Sequence, residues 1–427
     1  MVDFQPFRGI RYSSSAGEIS SLICPPYDVI SDEDRETLLS KNEYNMVRLE
    51  LSEAISGRDP QEYASSSLNY SSWLSHGILF QDENPSFYML RQSFISTNGI
   101  TNYRYSLIGA LRLEELGKRI KPHENTGIRA KNDRMELMES VQANFSPLFM
   151  LFRDHEHQIK SMMAEVELQN PIMEATLIDE EFSVWAIEDD SLIEAIQKVM
   201  ATKNVYIADG HHRYETSLQY SKKHADLSSQ YVMSALVSFD DSGLKLLPYN
   251  RFISNLDGRS LSLIVDRVYE YFEVERIPIT DYRSLSMLLE QKGNQGLSIA
   301  MVESNQPFVS ILNPKLNKIE NLISENPQHS SMSDIEAWIL QEIIFRPVLG
   351  DNYDEYVFAN HDGQLIIKAV ENKTAQIGFL LKGMPLDVFE RVVDSGIKLP
   401  RKSTYFWPKL PSGLLIKNLS DSKKSLF

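Results

Sequence analysis

Between Asn204 and Glu215 a short apolar run, Val205, Tyr206 and Ile207, stops abruptly at Asp209, Gly210 and a basic cluster of His211, His212 and Arg213. β-Branched and aromatic residues in such a run predict a buried strand. Beyond it, TSLQYSKKH has helix-compatible composition with Lys222, Lys223 and His224 in its last turn. The pattern is strand, tight turn, helix. Upstream, the same periodicities predict an edge strand in FRGIRYS and a helix after Ser31, with Asp32, Glu33 and Asp34 in its first turn. A helix from Pro60 to His76 should carry Tyr63, Leu68 and Trp73 on its inner stripe. Two strands, SFYMLRQSF and YRYSLIGALRL, flank a hairpin turn at Thr97-Asn98-Gly99. Asn125 to Lys131 reads as a polar loop, with Asn132 or Asp133 capping the helix RMELMESVQAN before the strand LFMLF. A helix near Gln158 to Glu167, the strand FSVWAI, the helix SLIEAIQKVM and, after the central motif, the strands YVMSALVSF and LKLLPYNRFI complete the first half.

After about residue 250 helical and strand patterns alternate afresh through SLIVDRVYEYF, SLSMLLEQKG, LSIAMVES and PFVSILN. Asn313 to Gln328 is polar and turn-rich, and Ser333 to Glu336 makes a capping box for a helix through Phe345 that Pro347 should stop. A strand over Gln376 to Lys382, the helix PLDVFERVVDSG, the stretch KSTYFWPKLPSGLLI and a polar tail close the chain. The class is α/β, mixed α+β in detail, with a domain over 1–250 and a second α/β domain over 251–427.

Composition narrows the function. With 427 residues, 42% hydrophobic and 24% charged, the chain is long enough for two folded cores and is not a disordered polymer. A net charge of −16 without a long Lys/Arg run counts against a nucleic-acid partner. The single cysteine, Cys24, excludes an intrachain disulfide framework and a Cys-rich metal site, and suits packing in a reducing compartment. No run of about 18 apolar residues occurs, and the amino terminus lacks the apolar core of a signal peptide. A cytoplasmic protein without a membrane partner is the expectation.

Chemistry concentrates in two stretches. At the first, Gly210 lets a ligand approach the main chain, and the helix after it begins with N–H groups aimed beside Asp209, an arrangement suited to phosphate. At the second, IKPHENTGIRAKNDR, Glu124 lies between His123 and Asn125, with Thr126 near, a setting in which a carboxylate can be oriented as a general base. Arg129, Lys131 and Arg134 add cations. Pro25 and Pro26 hold Tyr27 and Asp28 in a stiff loop, and Lys402, Ser403, Thr404 and Lys409 are interleaved with Tyr405, Phe406 and Trp407. Walker, G-x-G-x-x-G, H-E-x-x-H and G-x-S-x-G motifs are absent. His155-Glu156-His157 reads as surface, and His211-His212 shows no obvious third metal ligand.

Taken together, PPYDVIS, KPHENT with its later NDR, IADGHHRYE and KSTYFWPKLPSGL resemble a bacterial and archaeal family of unknown function over nearly the whole chain. Through the HE and DGHHR segments that family is related to free-serine kinases with a ParB/sulfiredoxin-like nucleotide-binding fold. The resemblance implies Glu124 as catalytic base, Asp209 as an essential acid and candidate Mg²⁺ ligand, and Gly210, His211, His212 and Arg213 as the phosphate-binding group. His123, Asn125, Thr126, Arg134, Lys402, Ser403 and Thr404 become supporting residues. The implied reaction transfers phosphate from ATP or ADP, with Mg²⁺, to a small-molecule acceptor of which L-serine is the best guess. One departure is visible, since relatives should carry Pro-Thr-His-Arg where this chain has Pro248-Tyr249-Asn250-Arg251. Two other classes stay open: a non-catalytic nucleotide-binding regulator and, disfavoured by the acidic balance, a ParB-like DNA-associated protein.

Overall fold

The computed structural model describes residues 1–51, 62–96, 99–224, 226–278, 281–293, 296–304, 306, 308–324 and 332–420. They form two compact units, Met1–Lys245 with Pro408–Phe427, and Leu246–Trp407. Among the described residues no helix is long and apolar enough to cross a membrane.

The first unit is built on a nine-stranded sheet. Its strands are β1 (Phe4–Gln5), β2 (Phe87–Ile95), β3 (Thr101–Arg112), β4 (Ile120–Lys121), β5 (Leu148–Phe152), β6 (Met173–Leu177), β7 (Glu180–Ile187), β8 (Val205–Asp209) and β9 (Tyr231–Ser238). They lie in the order β4-β8-β5-β9-β3-β2-β7-β6, with β1 on β3. Two pairings are parallel, β4 with β8 and β5 with β9, and the others are antiparallel. The fold is therefore mixed α/β. The expected hairpin of β2 and β3 forms in full register, with Gly99 at positive φ and Thr97 and Asn98 outside the described residues.

Six longer helices belong to this unit: α1 (Asp32–Lys41), α2 (Glu62–Ser75), α3 (Ile128–Val141), α4 (Gln158–Val166), α5 (Asp190–Met200) and α6 (His211–Lys223). Ser31 caps α1 as its sequence predicts, trading bonds with Asp34. One core joins Met89, Leu107, Met150, Val205 and Ile207 of the sheet to Ile159 and Met163 of α4, Ile196 and Met200 of α5, and Tyr214 of α6. A second gathers Tyr63, Tyr70 and Trp73 of α2 with Cys24, Leu137, Phe145 and Ile416. Leu68, expected on the inner stripe of α2, is 73% exposed, because the buried positions run 63, 66, 70 and 73 around the helix. The carboxy-terminal segment, expected with the second domain, belongs to this first unit. Ile416 exchanges two backbone bonds with Ile10, and Lys417–Asn418 pairs with Ala143–Asn144.

The second unit holds an antiparallel six-stranded sheet. With β10 (Asn250–Ile253), β11 (Phe272–Pro278), β12 (Ile299–Glu303), β13 (Phe308–Pro314), β14 (Val357–Asn360) and β15 (Ile377–Leu381), the order is β11-β13-β12-β15-β10-β14. Its longer helices are α7 (Gly258–Tyr271), α8 (Tyr282–Gly293), α9 (Leu316–Ser324), α10 (Gly363–Glu371) and α11 (Leu386–Asp394). Helix α9 occupies part of the stretch expected to be turn-rich, since Leu316, Ile319 and Leu322 recur at helical spacing and Ile319 is buried. Residues 325–328 lie outside the described ones. The helix expected to be capped from Ser333 begins at Glu336. Ile335 precedes the helix without a side-chain cap, a π-helical turn spans Leu340–Phe345, and Pro347 sits in the first turn of a further short helix, Arg346–Leu349. A proline is tolerated there because its missing N–H falls among those a helix start leaves unbonded.

Candidate functional site

Strand pairing brings the two chemical stretches together. Ile120 lies opposite Val205 and Lys121 opposite Tyr206 in the parallel pair β4–β8. Both strands run out at the same edge of the sheet, so His123, three residues past Ile120, arrives beside Ala208, three past Val205. The pairing is then stitched by side chains. His123 Nδ1 lies 2.7 Å from the Ile207 carbonyl, which only accepts, so Nδ1 carries the proton. The His123 backbone N–H donates to His211 Nε2 at 3.2 Å, and the Gly127 N–H to His212 Nε2 at 2.9 Å. Thr126 donates to Glu215 at 2.7 Å, and Lys131 pairs with the same carboxylate at 2.9 Å. Nearly ninety positions of sequence separation are closed by these five contacts.

Helix α3 begins at Ile128, earlier than expected, with Gly127 before it and Asn132 and Asp133 inside it. Ile128, Arg129, Ala130 and Lys131 contain no breaker, and the bond to His212 fixes the backbone ahead of the first turn. Opposite it, Gly210 has φ +98°, in the left-handed region, and turns β8 directly into α6. A Cβ at Gly210 would stand 2.7 Å from Leu148 Cδ2. The first intrahelical bond of α6 runs from the Tyr214 N–H to the Gly210 carbonyl at 2.8 Å, leaving the N–H groups of His211, His212 and Arg213 ahead of it.

Asp209 is held between two cations, Lys409 Nζ at 2.5 Å on one oxygen and Arg213 Nη2 at 3.1 Å on the other. Burial works to raise its pKa, but Lys409, Arg213 and His211 outweigh that cost and leave it below the ordinary carboxylate range. Each oxygen of this residue, the one expected to help hold Mg²⁺, thus carries one side-chain cation. Arg213 also spans to the Ser146 hydroxyl at 2.8 Å and the Pro147 carbonyl at 2.9 Å. Lys409, two hundred residues from Asp209, is aimed there by its own backbone. Gln92 donates to the Lys409 carbonyl at 3.0 Å, and Arg104, wholly buried over the Phe149 ring, donates to the Pro408 carbonyl at 2.6 Å.

One ligand atom from each of His123, Glu124 and His211 lies within 4.8 Å of the others, the only such trio of histidine, cysteine or carboxylate side chains found among the described residues. Glu124 is half-buried next to two buried imidazoles, His123 and His211, whose rings meet edge to face at 4.4 Å. Asn125 is exposed beside it.

Arg134, expected as a supporting contact for substrate, is a buried structural cation instead. It bonds Glu50 at 3.1 Å, Asp133 at 2.7 Å and the Tyr63 hydroxyl at 3.0 Å, and lies 4.0 Å from the centre of the Tyr27 ring. Burial opposes its charge, yet Tyr63, Glu50 and Asp133 more than restore it and carry its pKa above the normal value. Tyr27, pushed up to about 12 by burial, also feels Arg134, Arg213 and Asp209, which places the PPYD loop beside this cluster. Lys402, Ser403 and Thr404 belong to the second unit. There Lys402, at φ +58°, sets its ammonium 5.2 Å from the centre of the Tyr249 ring, and Ser403 donates to the Pro400 carbonyl at 2.7 Å. His155, Glu156 and His157 are exposed, as expected. A cavity of about 360 Å³, lined by Tyr103, Tyr105, Phe152, Asp154, Glu167 and Asp241 among others, lies at the opposite end of the strands from Asp209 and includes none of these site residues.

Fold and site define a mixed α/β protein with a strand–glycine–helix junction facing a His-Glu pair. The chain belongs to the DUF1015 family, described as a protein of unknown function, whose model matches residues 4–330. No curated protein matches the chain. Among solved structures it is similar to a conserved hypothetical protein from Pyrococcus furiosus, at 15% identity over 70% of this chain and 92% of that one, with a TM-score of 0.33. A free serine kinase in complex with AMP is 13% identical over 69% of this chain and 92% of that one, with a TM-score of 0.31. SbnI with a C-terminal truncation, from Staphylococcus aureus, is 9% identical over 74% of this chain and 90% of that one, with a TM-score of 0.39. At these values none of the three assigns a role to a residue of this chain.

Proposed function

We propose that this protein transfers a phosphoryl group from a nucleotide, ATP or ADP, to the hydroxyl of a small molecule, with free L-serine as the acceptor the motif resemblance favours. The observation that carries the reading is the lacing of residues 123–131 onto 207–215, which sets Glu124 beside the amino terminus of α6. A helix start of thirteen residues offers N–H groups and the positive end of its dipole to a phosphate. His211 and His212 each accept a backbone N–H through Nε2, so their first task is to hold the loop. The donors assigned to the phosphoryl group are the first-turn N–H groups, with Lys409 and Arg213 supplying positive potential from beside Asp209. Asp209 anchors those two cations and is not itself the acid–base group.

In the reaction the acceptor oxygen forms a bond to the terminal phosphorus as the bond from that phosphorus to the bridging oxygen of the nucleotide breaks. Glu124 takes the hydroxyl proton. Phosphoryl transfer asks little covalent chemistry of a protein and much positioning, which suits a carboxylate set beside the buried His123 and His211. The test is to incubate the pure chain with ATP or ADP, a divalent cation and a pool of amino acids, following phosphorylated product by mass spectrometry. Nucleotide-dependent product that falls about 100-fold or more in Glu124→Gln is expected. No product from the wild type, or equal rates in the two proteins, refutes the reading, and nucleotide binding without turnover would assign the site to a non-catalytic regulator.

A further inference from the structure

The donor set at the site disagrees with Mg²⁺. That ion prefers six oxygen ligands in near-ideal octahedral geometry, while imidazole donors suit first-row transition ions. We infer that His123, Glu124 and His211 form a binding site for a divalent transition-metal ion, with Asp209 outside its ligand shell. As the metal of phosphoryl transfer this rests on the function proposed above, with one Glu124 oxygen on the ion and the other left for the acceptor proton, whereas as a binding site it stands without it.

Three features of the geometry support the site. His123 gives its Nδ1 proton to the Ile207 carbonyl at 2.7 Å, which leaves Nε2 as the ring atom with a lone pair and fixes the ring plane. A carbonyl acting in this way on the far nitrogen is the usual outer-shell partner of a metal-bound histidine. The three side chains come from two segments held together by backbone and side-chain bonds, so the ligands are placed before any ion arrives. Their ligand atoms, all within 4.8 Å of one another, need draw in by up to about 1.5 Å to reach the spacing of about 3.3 Å that tetrahedral bonds of about 2.0–2.1 Å require. Ligation through His211 Nε2 would replace the 3.2 Å bond from the His123 N–H, a neutral contact. Two nitrogens and a carboxylate leave further positions open, so an oxygen of a phosphoryl group or acceptor can complete the shell.

The experiment titrates metal-stripped full-length protein with Co²⁺, Zn²⁺ and Mg²⁺ separately, by calorimetry and by the visible absorption of bound Co²⁺. Binding of Co²⁺ and Zn²⁺ at one equivalent, at least 100-fold tighter than Mg²⁺, is expected. His123→Ala and Glu124→Gln should each weaken Co²⁺ by at least tenfold and alter its spectrum, while the surface change His157→Ala leaves it within threefold. If His123→Ala does not fold, Glu124→Gln, which keeps size and shape, decides. Mg²⁺ bound as tightly as Co²⁺, unchanged binding in Glu124→Gln, or loss confined to Asp209→Asn would overturn the assignment. Tight one-site metal binding without phosphotransfer keeps the site and removes the kinase reading, whereas phosphotransfer with Mg²⁺ and no transition-metal binding does the reverse.

Discussion

Replacing Lys409 by methionine keeps the length of the side chain and deletes its charge, leaving the Asp209 carboxylate with Arg213 alone. The side chains of Asp209 and Lys409 are 21% and 13% exposed, so the pair is largely withdrawn from water. Removing one partner of a buried pair costs about 3–5 kcal/mol. Arg213 remains at 3.1 Å, which cuts the expected loss to about 2–3 kcal/mol. For a unit of this size that lowers the melting temperature by roughly 4–10 °C. Calorimetry on wild type, Lys409→Met, Asp209→Asn and the double variant gives the coupling energy, expected at about 1–3 kcal/mol. The pH dependence adds a check of sign. Asp209 has a folded pKa below its unfolded one, so its stabilisation is present above the ordinary carboxyl range and is lost as the pH falls through the lower folded value. In Lys409→Met the carboxylate protonates nearer its ordinary pKa, so the gap from wild type should narrow as acid is added. Additive single changes, or a gap that widens in acid, would refute the anchoring of Lys409 by Asp209.

Arg134→Ala should lower stability by about 3–5 kcal/mol, seen as a shift in urea midpoint, because it strands Glu50, itself 3% exposed, without its guanidinium. Arg134→Lys should recover little, since a point charge cannot span Glu50, Asp133 and the Tyr63 hydroxyl together. Gly210→Ala is expected to cost about 1–3 kcal/mol through its positive φ and the contact with Leu148, whereas Gly127→Ala, at φ −91° with His212 Nε2 3.8 Å from the added carbon, should stay within about 0.5 kcal/mol. Glu336, raised by burial to about 7 despite Lys382 at 3.5 Å, holds its proton longer in the folded chain. Stability is therefore lost as the pH climbs from the ordinary carboxyl value to about 7 and is level above it. Glu336→Gln should remove that slope and stabilise the protein at pH 8 by roughly 2 kcal/mol, measured as thermal stability against pH.

The strand–turn–helix at Asp209 was legible because an apolar run, a glycine and a basic cluster each speak locally. What joined it to Glu124 was not. Strand β4 is two residues long, too short for any periodicity to announce, yet its parallel pairing with Val205 and Tyr206 decides where His123 lies. Lys409 was visible only as one cation among rings, since its partner lies two hundred positions away and is chosen by bonds from Gln92 and Arg104 to the backbone around it. Arg134 read as a loop cation for the opposite reason: nothing local shows that Tyr27, Glu50 and Tyr63 will enclose it. Other signals were present and overlooked. In β6, Met173, Ala175 and Leu177 are buried and Glu174 and Thr176 exposed, an alternation the sequence displays openly.

On the proposed function, residues 123–131 and 207–215 form one nucleotide-binding place. Hydrogen–deuterium exchange of the full chain with and without ADP tests it most directly. Slowed exchange in peptides covering both segments together, lost from both in Glu124→Gln or His212→Ala, is expected. Protection of only one segment, or protection confined to other parts of the chain, would contradict it.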